Sequence, residues 1–214
     1  LIIGGGPSGL SSAIKVKQLA SAEGKEVSVC VLEKGSEIGA HILSGNVFEP
    51  TALNELIPDW KEKEAPLNSP ATKDIVKFMI SENSSFNIPF PSFLIPTFNN
   101  HGNYVMSLAN FTRWLATQAE SLGVEIFPGF TAAEVIFEEN VVKGVLTGEM
   151  GISKDGEKKP SYQPSMELRG KYTVFAEGCR GHLGKQLIKK FNLDENRDPQ
   201  HYGIGFKEIW DISP

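Results

Sequence analysis

The sequence predicts an α/β fold with a parallel sheet, and three observations lead to that prediction. Residues 1–14 read as an apolar strand, a glycine-rich turn and the start of a helix. Residues 27–32 are almost continuously apolar, which is typical of a strand buried in a parallel sheet. Residues 172–191 repeat the order of strand, glycine turn and helix near the other end of the chain.

The first turn has the spacing G-x-G-x-x-G between strand and helix. Gly4 permits a tight turn, Gly6 lets the backbone approach a pyrophosphate, and Gly9 allows the helix to pack closely on the strand. The helix N-terminus then offers unpaired N–H groups and the positive end of its dipole to phosphates. We therefore expect dinucleotide contacts from Gly4, Gly5, Gly6, Pro7, Ser8 and Gly9.

An acidic residue ends the second strand. Glu33 follows Gly9 at close to the spacing of about 20 residues at which a dinucleotide fold places a carboxylate on the ribose hydroxyls. A carboxylate there argues against a 2′-phosphate. The motif indicates an adenine dinucleotide without choosing between NAD and FAD. The alternative is an α/β turn that binds no nucleotide, with Glu33 merely solvated.

The middle of the chain departs from the further βαβ units of an NAD dehydrogenase. A loop of small residues at 39–45, a short helix around 51–57 and a proline-rich linker come first. Helical periodicity returns at 108–122, with Ser107 as a cap and Gly123 as a stop. A strand at 124–127, a hairpin at 134–146 and a polar, exposed loop at 153–164 follow.

The strand at 172–176 breaks into a turn containing Gly178 and Gly181, and an amphipathic helix follows. A glycine-rich βαβ start, an inserted β-meander and such a return strand are typical of two-dinucleotide-fold (Rossmann-like) FAD-binding domains. The return turn is expected to bring backbone N–H groups toward the ribityl and phosphate part of the flavin. Glu177 stands where that class usually has Asp, which leaves the role of this residue open.

Several longer stretches carry a more specific resemblance. They are GAHILSGNVFEP at 39–50, PDW at 58–60, NNHGNYVMSL at 99–108, LGVEIFPGF at 122–130, FAEGCRGHLGKQL at 175–187 and YGIGFKEIW at 202–210. Together they resemble the electron transfer flavoprotein–ubiquinone oxidoreductase family. The resemblance implies an FAD enzyme with an iron–sulfur cluster that passes electrons from electron transfer flavoprotein to ubiquinone. It also implies a peripheral location on the matrix side of the mitochondrial inner membrane, or on the cytoplasmic side of a bacterial inner membrane.

The FAD prediction extends to residues around the second strand and its loop, namely Lys34, Gly39, His41 and Ser44. For His41 a flavin-side role is weighed against that of a hydrogen-bonded structural histidine. No catalytic residue is assigned, because flavin and cluster would carry the redox chemistry. The four histidines have no metal-ligand spacing, and Cys30 and Cys179 cannot supply the four thiolates of a cluster, so no metal ligand is predicted in this chain.

Residues 86–98, FNIPFPSFLIPTF, are rich in large apolar side chains and uncharged. Their prolines exclude a helix and a central strand. We predict a membrane-docking surface beside the quinone entrance, against the alternative of a loop packed over its own core. The expected membrane residues are Phe86, Ile88, Phe90, Phe93, Leu94 and Ile95.

Composition limits the partners and suggests the domain plan. The net charge of −5 gives no footprint for nucleic acid, and no apolar run reaches the roughly 20 residues of a spanning helix. The ends of the sequence suggest a piece of a longer chain. The predicted parts are the first FAD-binding part (1–62), the inserted membrane- and quinone-facing segment (63–100), the second FAD-binding part with the meander (101–202) and the start of a truncated quinone-side domain (203–214).

Two other functions stay open from the residues alone. One is an FAD-dependent reductase or hydroxylase of the geranylgeranyl reductase type, with a nicotinamide donor and a prenyl or aromatic substrate. The other is a truncated membrane-docking module that holds flavin poorly or not at all. On the leading interpretation, the isolated chain is expected to be inactive toward ubiquinone.

Overall fold

The computed structural model describes residues 1–43, 45–88 and 99–204. The predictions for Ser44, Phe90, Phe93, Leu94 and Ile95 lie outside these residues, as does most of the range 203–214. In chain order the elements of the described residues are β1 (Ile2–Ile3), α1 (Pro7–Ala22), β2 (Val29–Glu33), β3 (Asn46–Phe48), α2 (Thr51–Leu56), β4 (Val76–Ser81), β5 (Ser84–Ile88), β6 (Tyr104–Met106), α3 (Leu108–Ser121), β7 (Val124–Pro128), β8 (Ala132–Glu138), β9 (Val141–Thr147), β10 (Met150–Ile152), β11 (Lys158–Gln163), β12 (Glu167–Arg169), β13 (Val174–Phe175) and α4 (His182–Phe191).

The central sheet has the order β13-β1-β2-β7, and all its strands are parallel. Ile2 pairs with Val174 on one side and with Val31 on the other, so β1 is an inner strand. The turn after β1, the end of β2 and the end of β13 therefore meet at the carboxyl edge of the sheet. Ligands of open α/β sheets bind at this edge.

Two hydrophobic cores cover the two faces of the sheet, because alternate residues of a strand point to opposite sides. Ile2 and Val31 pack with α1 and α3 in the first core, whereas Ile3 and Leu32 pack with the meander and α4 in the second. This arrangement is the α/β class that the sequence predicts, and the prediction is confirmed.

Helix α3 follows its sequence pattern closely. The Ser107 hydroxyl accepts a hydrogen bond from the Asn110 N–H at 3.3 Å, which is the predicted N-terminal cap. Phe111, Leu115 and Ala119 are buried on one face, and Gly123 follows the helix end with a φ of +78°. The predicted helix and both of its boundary signals are confirmed.

The meander consists of β8, β9 and β12 in one antiparallel sheet, in the order β12-β9-β8. The β8–β9 connection turns at Glu139, which has a φ of +55°, so the predicted hairpin is confirmed. The prediction of a loop at 153–164 is wrong, because residues 158–163 form β11 and pair with β10. Both faces of this hairpin are largely solvated, so its sequence lacks the alternating apolar pattern that marks a half-buried strand.

Strands β4 and β5 form a separate antiparallel hairpin that carries the start of the apolar segment. Phe86 lies in β5 and faces Phe78 of β4, with ring centroids 5.5 Å apart. Asp74 accepts hydrogen bonds from both the backbone N–H and the side-chain amide of Asn100, at 3.1 and 2.7 Å. These bonds tie the chain just before β4 to the chain at Asn100. Among the described residues, no helix has the length and apolar character needed to cross a bilayer.

Candidate cofactor site

A cavity of about 790 Å³ opens at the carboxyl edge of the central sheet. The glycine turn after β1 forms one wall and the return turn after β13 forms another. Eleven of the predicted cofactor residues line it: Gly4, Gly5, Gly6, Pro7, Ser8, Glu33, Lys34, Gly39, His41, Gly178 and Gly181. Gly9 lies behind the turn, at the contact between α1 and the turn, and Ser44 is outside the described residues.

The glycine turn has the close contacts that its spacing predicts. A Cβ on Gly4 would lie 2.4 Å from the Ala176 carbonyl oxygen, and one on Gly9 would lie 2.0 Å from the Gly4 carbonyl oxygen. Gly4 also has a φ of +109°, which favours glycine. A Cβ on Gly6 would instead meet nothing within 4 Å. Gly4 and Gly9 therefore serve the packing of the turn, and Gly6 leaves the space that a close-lying phosphate needs.

The N-terminus of α1 is open to an anion. The residue before the helix is Gly6, which has no side chain to cap it, and the first turn contains no acidic residue. Pro7 occupies the first helical turn, where a missing N–H costs no hydrogen bond. The free N–H groups and the positive end of the helix dipole fit a diphosphate. The space at Gly6 and this open helix end are the two reasons why an adenine dinucleotide fits the cavity.

The Glu33 carboxylate is held between two loops. It accepts a hydrogen bond from the Gly5 N–H at 2.8 Å and another from the Gly35 N–H at 2.6 Å. A carboxylate has about four acceptor positions, so hydroxyl donors of a ribose can still bind to it. The sequence predicted the ribose role but missed the two backbone bonds, which depend on the folding of both loops around the strand end.

The loop that carries His41 is anchored on α3. Gly39 has a φ of +85°, and a Cβ there would lie 2.9 Å from the Ala109 carbonyl oxygen. Arg113 of α3 forms an ion pair with Glu37 at 2.9 Å. These two contacts hold the loop over the cavity, where His41 is exposed on the cavity wall.

The return turn begins where β13 contacts β1. The Ala176 N–H donates to the Ile3 carbonyl oxygen at 2.8 Å, and Gly178 then turns the chain with a φ of +83°. The Glu177 carboxylate accepts hydrogen bonds from the N–H groups of Leu183 at 3.1 Å and Gly184 at 2.8 Å. Glu177 thus caps α4, a role that sequence reasoning missed. The only signal was an acidic residue shortly before a helix that has no capping side chain of its own.

Part of the cavity wall had no sequence prediction. Residues 130–132, at the start of the meander, line the cavity together with Ile42, Arg180 and His182. His182 lies with its Nε2 3.3 Å from the Ala133 carbonyl oxygen, which joins α4 to β8.

Within residues 1–43, 45–88 and 99–204, no three His, Cys, Asp or Glu side chains are grouped as metal ligands. Cys30 is half-buried, and burial raises the pKa of its thiol, whereas Cys179 is exposed.

The fold has parallels among known proteins. Residues 2–57 match the family described as NAD(P)-binding Rossmann-like domain. A geranylgeranyl bacteriochlorophyll reductase-like protein from Thermoplasma acidophilum is similar with a TM-score of 0.56 at 18% identity, over 86% of this chain and 40% of that one. A Thermovibrio ammonificans protein, THI4, is similar with a TM-score of 0.53 at 18% identity, over 90% and 62%. At these identities the similarity shows the fold alone.

Sequence similarity is far closer to one group of proteins. The electron transfer flavoprotein-ubiquinone oxidoreductase of Pseudomonas aeruginosa is 60% identical over the whole of this chain. The mitochondrial electron transfer flavoprotein-ubiquinone oxidoreductase of Homo sapiens is 50% identical over 99% of it. The chain belongs to the electron transfer flavoprotein–ubiquinone oxidoreductase family. It covers 39% of the length of the first relative and 34% of the second.

Membership of the electron transfer flavoprotein–ubiquinone oxidoreductase family confirms the resemblance predicted from the sequence. The matches span the glycine turn, the His41 loop and the return turn, because they cover nearly every residue of this chain. The three walls of the cavity therefore lie within the part that this family shares.

Proposed function

We propose that this chain is the FAD-binding part of an enzyme that passes electrons from reduced electron transfer flavoprotein to ubiquinone. The observation that carries the proposal is the junction of an uncapped helix N-terminus and a strand-end carboxylate in one cavity of about 790 Å³. The relatives named above supply the substrate class through their names. This chain covers 39% and 34% of the length of those two relatives, so we assign the complete reaction to the longer protein.

Each wall of the cavity has a role in this proposal. The backbone of the glycine turn and Ser8 at the start of α1 hold the diphosphate, and Glu33 accepts hydrogen bonds from the ribose hydroxyls. Lys34 and the loop with Gly39 and His41 close over the cofactor. The turn at Gly178 and Gly181 lies against the ribityl and flavin part. When bound, the flavin supplies the electron-transfer chemistry, and the protein orients it and excludes water.

The iron–sulfur cluster of the proposed enzyme takes its ligands from elsewhere in the protein. Four thiolates are needed for such a cluster, and this sequence has two cysteines. Cys30 lies in β2 within the sheet, and Cys179 lies on the return turn. This chain accordingly contributes the flavin site, and no step from cluster to quinone is assigned to its residues.

A peripheral membrane location is part of the same proposal. The hairpin β4–β5 exposes Met79 (63%) and Ile80 (64%), together with Phe78 and Phe86. An apolar surface of this kind suits a lipid bilayer, where ubiquinone with its hydrocarbon tail is dissolved. We extend it to Ile88 of β5 and to the predicted residues Phe90, Phe93, Leu94 and Ile95. The protein would bind on the matrix side of the mitochondrial inner membrane or on the cytoplasmic side of a bacterial inner membrane.

FAD binding by the purified chain tests the proposal. Titration of the chain with FAD, followed by quenching of flavin fluorescence, is expected to show saturable binding at one site. NAD in the same titration is the control, because a nicotinamide site in this cavity would allow it to displace FAD. Displacement of FAD by NAD, or the absence of FAD binding to a folded chain, would contradict the proposal. The geranylgeranyl bacteriochlorophyll reductase-like protein shares the fold, but it is only 18% identical to this chain. That similarity gives no reason to prefer a reductase of this type as the function.

A further inference from the structure

Glu177, the second residue after β13, lines the cavity, and its carboxylate faces backbone N–H groups of α4. We propose that Glu177 is a positioning residue, which caps α4 and thereby fixes the turn from Gly178 to Gly181 on the cavity wall. This inference rests on the proposed function, because the turn is the wall assigned to the flavin.

The hydrogen bonds of Glu177 are those of a helix cap. Helix α4 begins at His182, and Gly181 at the capping position has no side chain. The N–H groups of the second and third helical residues, Leu183 and Gly184, donate to the two carboxylate oxygens at 3.1 and 2.8 Å. These are the groups that a capping side chain normally satisfies, and a negative charge at this end of a helix is favourable. Each oxygen of Glu177 thus accepts one hydrogen bond from the first turn of the helix.

The neighbouring residues leave room for this arrangement. A Cβ on Gly181 would lie 2.7 Å from Glu177 Oε2 and 2.8 Å from Glu177 Cβ. Leu183 is fully buried in the second core, so the first turn of α4 has a fixed place on the meander. The turn is thus held at one end by the pairing of β13 with β1 and at the other by the capped helix. An aspartate at 177 would be one methylene shorter, so we expect it to lose these bonds unless the backbone moves.

The cap also distinguishes the two helix ends at the cavity. The N-terminus of α1 has no capping side chain and no acidic residue in its first turn. The N-terminus of α4 already holds the carboxylate of Glu177. An anionic diphosphate is consequently favoured at α1 and repelled at α4. Glu177 would then fix the direction in which FAD lies, with its diphosphate toward the glycine turn and its flavin end along the return turn.

Amide hydrogen exchange on the FAD-free chain tests the cap by itself. Glu177→Ala should speed exchange at Leu183 and Gly184 by about fivefold to tenfold, as expected for the loss of a capping side chain. Glu177→Asp should behave like Glu177→Ala, and Glu177→Gln should recover part of the protection through its single amide oxygen. Glu157→Ala, in the exposed connection between β10 and β11, is the matched control and should change nothing. Unchanged exchange at both amides in Glu177→Ala would overturn the cap.

FAD titration of the same variants tests the positioning role. The dissociation constant should rise about fivefold to tenfold in Glu177→Ala and less in Glu177→Gln, with a changed visible absorption band of the bound flavin in Glu177→Ala. An FAD analogue that lacks a ribityl hydroxyl separates the two roles. A positioning residue gives the same fold-loss with FAD and with the analogue, whereas a ribityl ligand gives a loss with FAD only, and that result would overturn the inference.

Two further outcomes are also decisive. If Glu177→Ala does not fold, Glu177→Gln is compared with Glu177→Asp instead. Equal amide exchange and equal FAD affinity of these two variants would overturn the proposal. If the wild-type chain does not bind FAD, the proposed function fails and the flavin part of this inference fails with it. The exchange experiment still decides whether Glu177 caps α4, so the two failures are distinguishable.

Discussion

The Gly5 N–H donates a hydrogen bond to Glu33 Oε2 at 2.8 Å, so the acidic end of β2 is tied to the middle of the glycine turn. A Cβ on Gly5 would lie 3.1 Å from Glu33 Cβ and 2.5 Å from the Ile38 side chain. The absence of a side chain at residue 5 is therefore what allows this contact. Glu33 both orders the turn and offers its remaining acceptor positions to the cavity.

Glu33→Ala should weaken FAD binding by about 1–3 kcal/mol, since a carboxylate that accepts hydrogen bonds from the ribose and from Gly5 is lost. Glu33→Gln should lose less, because one oxygen remains as an acceptor. Isothermal titration calorimetry measures the difference, with the exposed Glu26→Ala as control. Equal affinities of Glu33→Ala and wild type, in a chain that binds FAD, would remove Glu33 from the site.

Two glycines of the same turn should respond differently to alanine. In Gly9→Ala the new Cβ would lie 2.0 Å from the Gly4 carbonyl oxygen, so folding stability should fall by about 1–3 kcal/mol or more. That corresponds to a drop in Tm of about 2–4 °C for each kcal/mol in a chain of this size. Calorimetry of the unliganded chain gives the Tm.

Gly6→Ala is the partner experiment. Its Cβ meets no protein atom within 4 Å, and its φ of −80° is one that alanine adopts. The Tm should therefore stay within about 1 °C of wild type, consistent with a surface-like substitution. FAD affinity should fall roughly tenfold or more, because the methyl group enters the space needed for the diphosphate. A Gly6→Ala chain with unchanged FAD affinity would place the diphosphate elsewhere.

The proposed membrane surface is tested by charge. Phe90→Asp with Phe93→Asp should abolish co-sedimentation with phosphatidylcholine vesicles, because each Phe contributes roughly 1.5–3 kcal/mol when fully buried. Phe78→Asp with Phe86→Asp should weaken it in the same way, since both side chains are exposed on the β4–β5 hairpin. Tyr172→Asp is the control, because Tyr172 is exposed in the approach to β13.

Vesicles with added cardiolipin should bind the chain little better, given its net charge of −5. FAD binding should be retained in both double variants. Equal sedimentation of the double variants and wild type would remove this surface from the membrane contact. Global unfolding of Phe90→Asp with Phe93→Asp would favour a role for that pair in the protein interior.

The contact between Asp74 and Asn100 should depend on pH. The hydrogen bonds from the Asn100 side chain and backbone hold the pKa of the Asp74 carboxyl below its ordinary value. A lowered folded-state pKa means that the contact stabilises the protein fully above the unfolded-state pKa and is lost as the pH falls through the folded-state pKa. The protection factor of the Asn100 amide, which is the exchange rate of an unfolded chain divided by the observed rate at the same pH, should therefore fall on acidification. Asp74→Asn should lack this fall, and an identical pH profile in both chains would contradict it.

The isolated chain should not reduce ubiquinone with reduced electron transfer flavoprotein at a useful rate. Its two cysteines cannot supply four thiolates, so the isolated chain lacks the iron–sulfur cluster of the proposed electron path. Quinone reduction is followed by its absorbance, with a full-length member of the family as the control. Turnover equal to that of the full-length enzyme would contradict both the assignment of the cluster and the expected inactivity.

Local signals account for the parts of the fold and site that were predicted. The glycine turn, the Ser107 cap and the periodicity of α3 each depend on residues close in sequence, so the pattern alone specifies them. The strand end at Glu33 is equally local, because a long apolar run stops there. Of these features, the glycine turn and the strand end at Glu33 line the cavity.

Tertiary contacts account for what was missed. Glu177 reaches the N–H groups of Leu183 and Gly184 only because the intervening turn folds back on the helix. Phe130 and Thr131 line the cavity because the meander packs against the sheet, which no local pattern records. The β10–β11 hairpin has solvent on both sides and hence no hydrophobic period to read.

The position of β1 between β2 and β13 sets the order in which this domain can be completed during synthesis. One neighbour of β1, the strand β2, follows it after a single helix, whereas the other, β13, is made only after α3 and the meander, and the Ala176 carbonyl that adjoins Gly4 arrives with it. Closing so long a loop is entropically costly and slow, so the nascent protein keeps one edge of β1 unpaired until β13 has left the ribosome. The cavity is complete only when β13 has docked, and until then the open edge of β1 is exposed to pairing with other chains.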